Sequence, residues 1–142
     1  MVNEVDHEAL ALLEKPILGH LGFLGLDGYP RVLTVWFRLL EGELLVASRP
    51  GEYKCRSIRA NGRVALTVAT ADLPYLTITA IGDATVDALP EKERIEFITR
   101  VARSYLGREQ GDAYVERWSG GGHPGDGELI RLRPRRFTSW RS

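Results

Sequence analysis

The sequence predicts one antiparallel β-barrel with a few helices around it. Two observations carry that expectation: about six stretches of extended period are joined mostly by short turns, and only a few helical stretches lie between them. Strands that alternate this evenly are expected to close on themselves and leave no open edge.

The elements follow in order. A short amphipathic helix comes first, with Asn3 or Asp6 as its cap, Val5, Ala9, Leu12 and Leu13 on one face, and Pro16 as its stop. The run Leu21 to Leu26 and the hairpin signal Asp27-Gly28 lead into a second strand, Arg31 to Leu40. In that strand Leu33, Val35, Phe37 and Leu39 are expected in the core. Val32, Thr34, Trp36 and Arg38 face the other way. The second set is too polar for a core and too aromatic for a plain solvated face, so it is expected to line a groove.

Glu41-Gly42 turns the chain into a third strand, Glu43 to Ser48, which Arg49-Pro50-Gly51-Glu52 breaks. Tyr53 to Ala60 reads as a short helix ending at Asn61-Gly62. Val64 to Thr70 and Leu76 to Val86 are the next strands, separated by the loop at Asp72-Leu73-Pro74. The strongest helix starts at Pro90, sets Ile95, Ile98, Ala102, Tyr105 and Leu106 on one stripe, and stops at Gly107. One or two further helical turns fall within Asp112 to Trp118. A glycine-rich loop follows from Ser119 to Gly127, and the last strand or bent pair covers Glu128 to Arg133 and Arg136 to Trp140. No internal repeat or linker divides residues 1–142, which are expected to form one domain.

Composition narrows the function. Nineteen basic residues balance nineteen acidic ones, without the positive excess of a nucleic-acid-coating protein. The single cysteine rules out an internal disulfide framework and a cysteine-based zinc cluster. No apolar run approaches the ~20 residues that span a bilayer, and the acidic N-terminus is unlike a signal peptide. A cytoplasmic protein with no membrane or nucleic-acid partner is the expectation.

Several motifs carry no chemistry. Gly120, Gly122 and Gly125 match a dinucleotide-binding spacing, but they lie between a helix and a strand rather than after a strand, so they read as a loop. His7, His20 and His123 lack metal-ligand spacing, and no metal is expected. Cys55 lies between Lys54 and Arg56, which would favour its thiolate; packing is the commoner role of a lone helical cysteine. No catalytic triad is present. What remains is an anion site: Ser48, Arg49, Gly51 and Lys54 fall between a strand end and the first turn of a helix, where backbone N–H groups and the helix dipole favour a phosphate.

The ordered segments LDGYPRVLTVWFRL, LLVASRPGEYKCRSIRANGRVALTV, LPYLTITAIGDATV and GELIRLRPRRFTSW resemble the pyridoxamine-phosphate-oxidase-like split β-barrels. Within that superfamily the chain is most similar to the flavin- and deazaflavin-dependent oxidoreductases. The resemblance implies a six-stranded antiparallel split β-barrel, a homodimer with cofactor sites at the interface, and hydride transfer to a small electrophilic substrate. It implies that Lys54 contacts the cofactor phosphate, with Ser48 and Arg49 beside it, and that Val32, Thr34 and Trp36 flank the ring. Tyr75 is expected to border the substrate. Gly82-Asp83-Ala84 corresponds to the family's Gly-x-Ala. The cofactor is the deazaflavin coenzyme (F420) or FMN; Pro74-Tyr75 and Trp36-Phe37 look more like the deazaflavin group.

Other roles stay open at this point. A cofactor carrier without turnover and a pyridoxamine-phosphate-oxidase-like enzyme are the alternatives, although the Arg-x-His-type segment of true pyridoxamine-phosphate oxidases is absent after Gly127. A haem-binding relative is weaker still, because only His20 adjoins the resembling motifs. Ser57 stands where many relatives carry Asn and is given no role. Five arginines crowd the last twelve residues, Arg131, Arg133, Arg135, Arg136 and Arg141. They are expected to form a solubilising face or charged edge rather than a landing surface for an anionic tail. Trp118 and Trp140 are expected to cover the pocket or seal the dimer.

Overall fold

The computed structural model describes residues 5–120 and 125–142. Helix α1 (His7–Ala11) is capped by Asp6, whose carboxylate accepts from the Glu8 and Ala9 amides, and it runs into a 3-10 turn, Leu12–Glu14. The other candidate cap, Asn3, lies outside the described residues, as does His123. There follow β1 (Gly19–Leu24), β2 (Pro30–Val35), β3 (Arg38–Leu40), β4 (Glu43–Ser48), α2 (Tyr53–Ala60), β5 (Arg63–Ala69) and β6 (Leu76–Leu89). The chain continues through α3 (Glu91–Leu106), α4 (Arg108–Val115), a π-helical turn at Glu116–Gly120 and β7 (Gly127–Arg141). Gly120 ends that turn, Gly125 follows the undescribed residues 121–124, and the expected loop there is bounded by these two ends.

The mainly β, antiparallel fold class is as the sequence predicts, with two corrections. The sheet has seven strands, in the order β2-β1-β5-β6-β7-β4-β3, and it is not closed. The extra strand arises because the stretch read as one strand from Arg31 to Leu40 breaks after Val35. Trp36 turns to stack on Tyr105 of α3 at 5.2 Å, and the Phe37 amide donates to the Tyr105 hydroxyl at 3.2 Å instead of to a neighbouring strand. The chain thus leaves one edge of the sheet at Val35 and joins the opposite edge at Arg38. Three Cα–Cα steps span at most about 11 Å, so the two edges of the rolled sheet lie close together with Trp36-Phe37 bridging the seam. The edges are protected by shortness rather than by closure: β3 has three residues and β2 opens with a proline.

The inner face of the rolled sheet holds the core, with Leu21, Leu44, Leu66, Ile78, Ile130 and Leu132 fully buried. Cys55 and Ile58 of α2, Ala9 of α1, and Leu12 and Leu13 of the 3-10 turn belong to the same core. On the outer face α3 covers a smaller cluster of Leu45, Leu89 and Leu129 with Phe97. Of the helical stripe read from the sequence, Ala102 is buried, Ile95, Ile98 and Tyr105 are half-buried and Leu106 is exposed, and Val101 is buried beside it. A bulge at Ile81/Gly82 bends β6 so close to β7 that a Cβ on Gly82 would lie 2.1 Å from the Arg133 carbonyl oxygen. That close approach gives the Gly82-Asp83-Ala84 segment a packing reason.

The C-terminal arginines belong to an internal strand, not to an edge. Arg131 pairs with Glu43 and Asp87, Arg133 with Glu43, Arg135 with Asp83, and Arg141 with Asp6 and Glu8. Four of the five charges are thus met by carboxylates on adjacent strands and at the start of α1, while Arg136 makes no ion pair among the described residues. Among the described residues no helix is long and apolar enough to cross a membrane.

Candidate functional site

The loop between β4 and α2 is built around a backbone that glycine alone accepts easily. Gly51 has φ +72° and open space where a side chain would project. Its amide donates to Glu128 Oε1 at 2.6 Å. Glu128, the second residue of β7, pairs with Ser48 across the ladder and is buried. The Arg59 guanidinium at the end of α2 binds its other oxygen and holds the carboxyl below its ordinary range, against the opposing effect of burial. One buried carboxylate thus fastens the loop, the end of α2 and the start of β7.

The cations gather around that loop. Lys54 Nζ is largely buried and meets Glu52 Oε2 at 2.5 Å. Arg56 donates from Nε to the Gly51 carbonyl at 3.2 Å, and the Ser48 hydroxyl donates to the Arg49 carbonyl at 2.9 Å. The Arg49 guanidinium lies 5.9 Å from the centre of the Trp118 ring. No side chain caps α2 at Glu52, which leaves the helix start to backbone N–H groups. The loop and α2 together carry four cations, Arg49, Lys54, Arg56 and Arg59, with Glu52 and Glu128 as the carboxylates beside them. Cys55 is fully buried beneath it, and burial pushes its thiol up, as suits a packing residue rather than a reactive one.

Tyr53 ties this loop to the β1–β2 hairpin. Its hydroxyl accepts from the Leu26 amide at 2.9 Å, and the Arg31 and Arg56 guanidinium carbons each lie 5.5 Å from its ring centre. On β2, Val32 and Thr34 share the outer sheet face with Gly22 and His20, across the ladder from which they sit. Val32 is 69% exposed, and the Thr34 hydroxyl is 3.3 Å from His20 Nδ1. This face forms an open concavity of ≈ 690 Å³ that Val32, Gly22, Ala65, Ile81, Arg63 and Arg136 help to line. Of the expected core set on this segment, Phe37 is buried and Val35 and Leu39 partly so, while Leu33 is 40% exposed because β2 is an edge.

The structure therefore brings Ser48, Arg49 and Lys54 together and sets Val32 and Thr34 on a neighbouring hairpin. Trp36 departs from them: it lies beyond the end of β2 and packs on the helices, 5.2 Å from Tyr105 and 5.0 Å from Tyr114. Tyr114 in turn lies 6.3 Å from Trp118, so an aromatic run connects the seam to Arg49. Trp140, 58% exposed, sits at the far end of β7 instead. Tyr75 precedes β6 at the end where Leu76 pairs with Arg141, whereas Ser48 lies level with Ala88. Roughly 40 Å of strand separates those ends, so Tyr75 and Lys54 of one chain do not share a site.

Glu128, Arg59 and Tyr53 went unread in the sequence as parts of this site. A lone acid opening an arginine-rich strand was the available signal for Glu128; the other two lie inside an ordinary short amphipathic helix. Among the described residues no group of three His, Cys, Asp or Glu side chains could hold a metal ion.

Comparison with known proteins agrees with this architecture. An F420 reductase is 26% identical, with a TM-score of 0.68 over 94% of this chain and 98% of its own. A conserved hypothetical protein of Mycobacterium tuberculosis is 21% identical, with a TM-score of 0.68 over 99% of this chain and 86% of its own. An FAD-binding protein of Mycobacterium smegmatis is 15% identical, with a TM-score of 0.62 over 98% of each. No curated protein matches in sequence. The profile described as pyridoxamine 5'-phosphate oxidase matches residues 5–141. The chain, with its seven-stranded split barrel, belongs to the pyridoxamine 5'-phosphate oxidase family.

Proposed function

We propose that this protein is an oxidoreductase that passes a hydride between a bound deazaflavin coenzyme (F420), or FMN, and a small electrophilic organic substrate. The observation that carries the reading is the loop from Ser48 to Lys54, which sets the Ser48 hydroxyl and the Arg49 and Lys54 cations beside an uncapped helix start. That donor set fits the phosphate common to both cofactors. The likeness to an F420 reductase favours the deazaflavin form.

When bound, the cofactor ring supplies the redox chemistry. The chain's own residues bind, orient and exclude water. Lys54 would exchange the Glu52 carboxylate for the phosphate, with Arg49 and Ser48 alongside. Val32 and Thr34 would flank the ring on the hairpin that Tyr53 anchors. Trp36 would act from its stack on Tyr105 by fixing the seam at the end of β2. Tyr75 would border the substrate only when contributed by a second copy of the chain, which ties its role to a homodimer. The exposed Val32 face, with Gly22, Ala65 and Ile81, is the surface that such a dimer would cover. No side chain is assigned as proton donor; water supplies the final proton.

A carrier that binds cofactor without turnover is the second reading, because binding and turnover ask the same of the loop. Mixing the purified protein with each cofactor and recording absorbance identifies the one it takes. Stopped-flow oxidation of the reduced complex by a panel of enones then separates the readings: turnover supports the reductase, and indifference to every enone supports the carrier. A protein that shifts the spectrum of neither cofactor contradicts both.

A further inference from the structure

A second concavity, of ≈ 520 Å³, lies between the 3-10 turn, β3 and α3 and takes none of its lining from the β4–α2 loop. Its floor is apolar, with Phe37 and Val101 buried. Its rim is cationic: Lys15 follows the turn, Arg38 opens β3, and Arg100 and Arg103 stand one helical turn apart on α3. Arg103 is held by Asp112 through two hydrogen bonds, of 2.6 and 3.2 Å. Lys15, Arg38 and Arg100 make no ion pair among the described residues, and neither does Glu14, the acid in the lining. This contrasts with β7, where four of the five arginines from Arg131 on, Arg131, Arg133, Arg135 and Arg141, meet carboxylates.

Like charges gathered around one hollow repel, and an anion placed among them removes that repulsion. Counting Asp112 and Glu14 against the four cations leaves two positive charges unmatched. We infer that this cavity is a binding site for a small organic dianion with an apolar body, its charge among Lys15, Arg38 and Arg100 and its body on Phe37 and Val101. The headgroup chemistry is that of a phosphomonoester or a dicarboxylate, which these cations serve alike. The site is separate from the proposed cofactor loop and does not depend on it.

The test is calorimetric titration of the 142-residue chain with phenyl phosphate and with phthalate, and with inorganic phosphate and benzyl alcohol as the charge-only and body-only probes. Lys54→Gln is the background, so that phosphate binding at the β4–α2 loop is weakened. At least one aromatic dianion should bind at least tenfold more tightly than either partial probe, and the tighter of the two names the headgroup. Arg100→Gln and Arg38→Gln should each weaken it by roughly tenfold to a hundredfold, the loss of one charged hydrogen bond. Lys92→Gln, an exposed cation at the start of α3, should leave it unchanged. No binding by either dianion, inorganic phosphate binding as tightly as both, or affinity indifferent to Arg100→Gln and Arg38→Gln would overturn the assignment.

Discussion

The Gly51 amide and the Glu128 carboxylate meet at 2.6 Å across 77 residues of sequence, and that one contact sets the shape of the β4–α2 loop. Glu128 is buried, so its charge is tolerable only because Arg59 and the Gly51 N–H both point at it.

Glu128→Gln keeps an acceptor for Gly51 but removes the charge facing Arg59. Its expected cost is about 1–2 kcal/mol in urea unfolding, discounted because Arg59 is half exposed and can re-solvate. The pH dependence follows from the sign of the shift. A carboxyl lowered in the folded state contributes stability that is present above the ordinary glutamate value of 4.5 and lost as pH falls through the lowered one. Unfolding midpoints measured from pH 6 down to 3 should fall less steeply in Glu128→Gln than in the native sequence. Parallel curves would show that Glu128 carries no such linkage.

Tyr105 governs the seam. Its hydroxyl accepts from the Phe37 amide at 3.2 Å and donates to the Ile17 carbonyl at 2.9 Å, in surroundings whose burial pushes the phenol up. Tyr105→Phe leaves the ring stacked on Trp36 but orphans the Phe37 N–H, for an expected loss of about 1–3 kcal/mol. Hydrogen exchange should speed at Phe37 while the β5–β6 amides keep their protection. Unchanged exchange at Phe37 would remove this account of the strand break.

Cys55 gives a cleaner yes-or-no result. It is fully buried, and burial raises its thiol above the ordinary value. A disulfide reagent at neutral pH should label it only after denaturation, despite Lys54 and Arg56 on either side. Rapid labelling of the native protein would mean that the loop above it opens readily.

How far these features could be read from the sequence depended on how local their causes are. The turns at Gly28 and Gly42, the Pro90 to Gly107 helix and the break between β4 and α2 were legible because a few neighbouring residues decide each of them. The break after Val35 was not. The alternation from Arg31 to Leu40 is sound as a strand, and only Tyr105, 68 residues away, turns the Phe37 amide out of the ladder. The separation of Tyr75 from Lys54 along one chain was not legible for a similar reason: register along β6, not composition, decides which end of the sheet Tyr75 occupies. The β7 arginines read correctly as surface charge but wrongly as an edge, since strand order is invisible in a single sequence.

The Lys54–Glu52 pair supplies the most direct test. Glu52 occupies the ammonium that the phosphate would take, so the two variants should move affinity in opposite directions. Equilibrium titration with FMN and with the deazaflavin coenzyme should show Lys54→Ala losing about 1.5–3 kcal/mol, roughly tenfold to a hundredfold, and Glu52→Gln binding several-fold more tightly. Affinity for the better cofactor that is the same in Lys54→Ala as in the native protein would contradict the claim that this loop grips a phosphate.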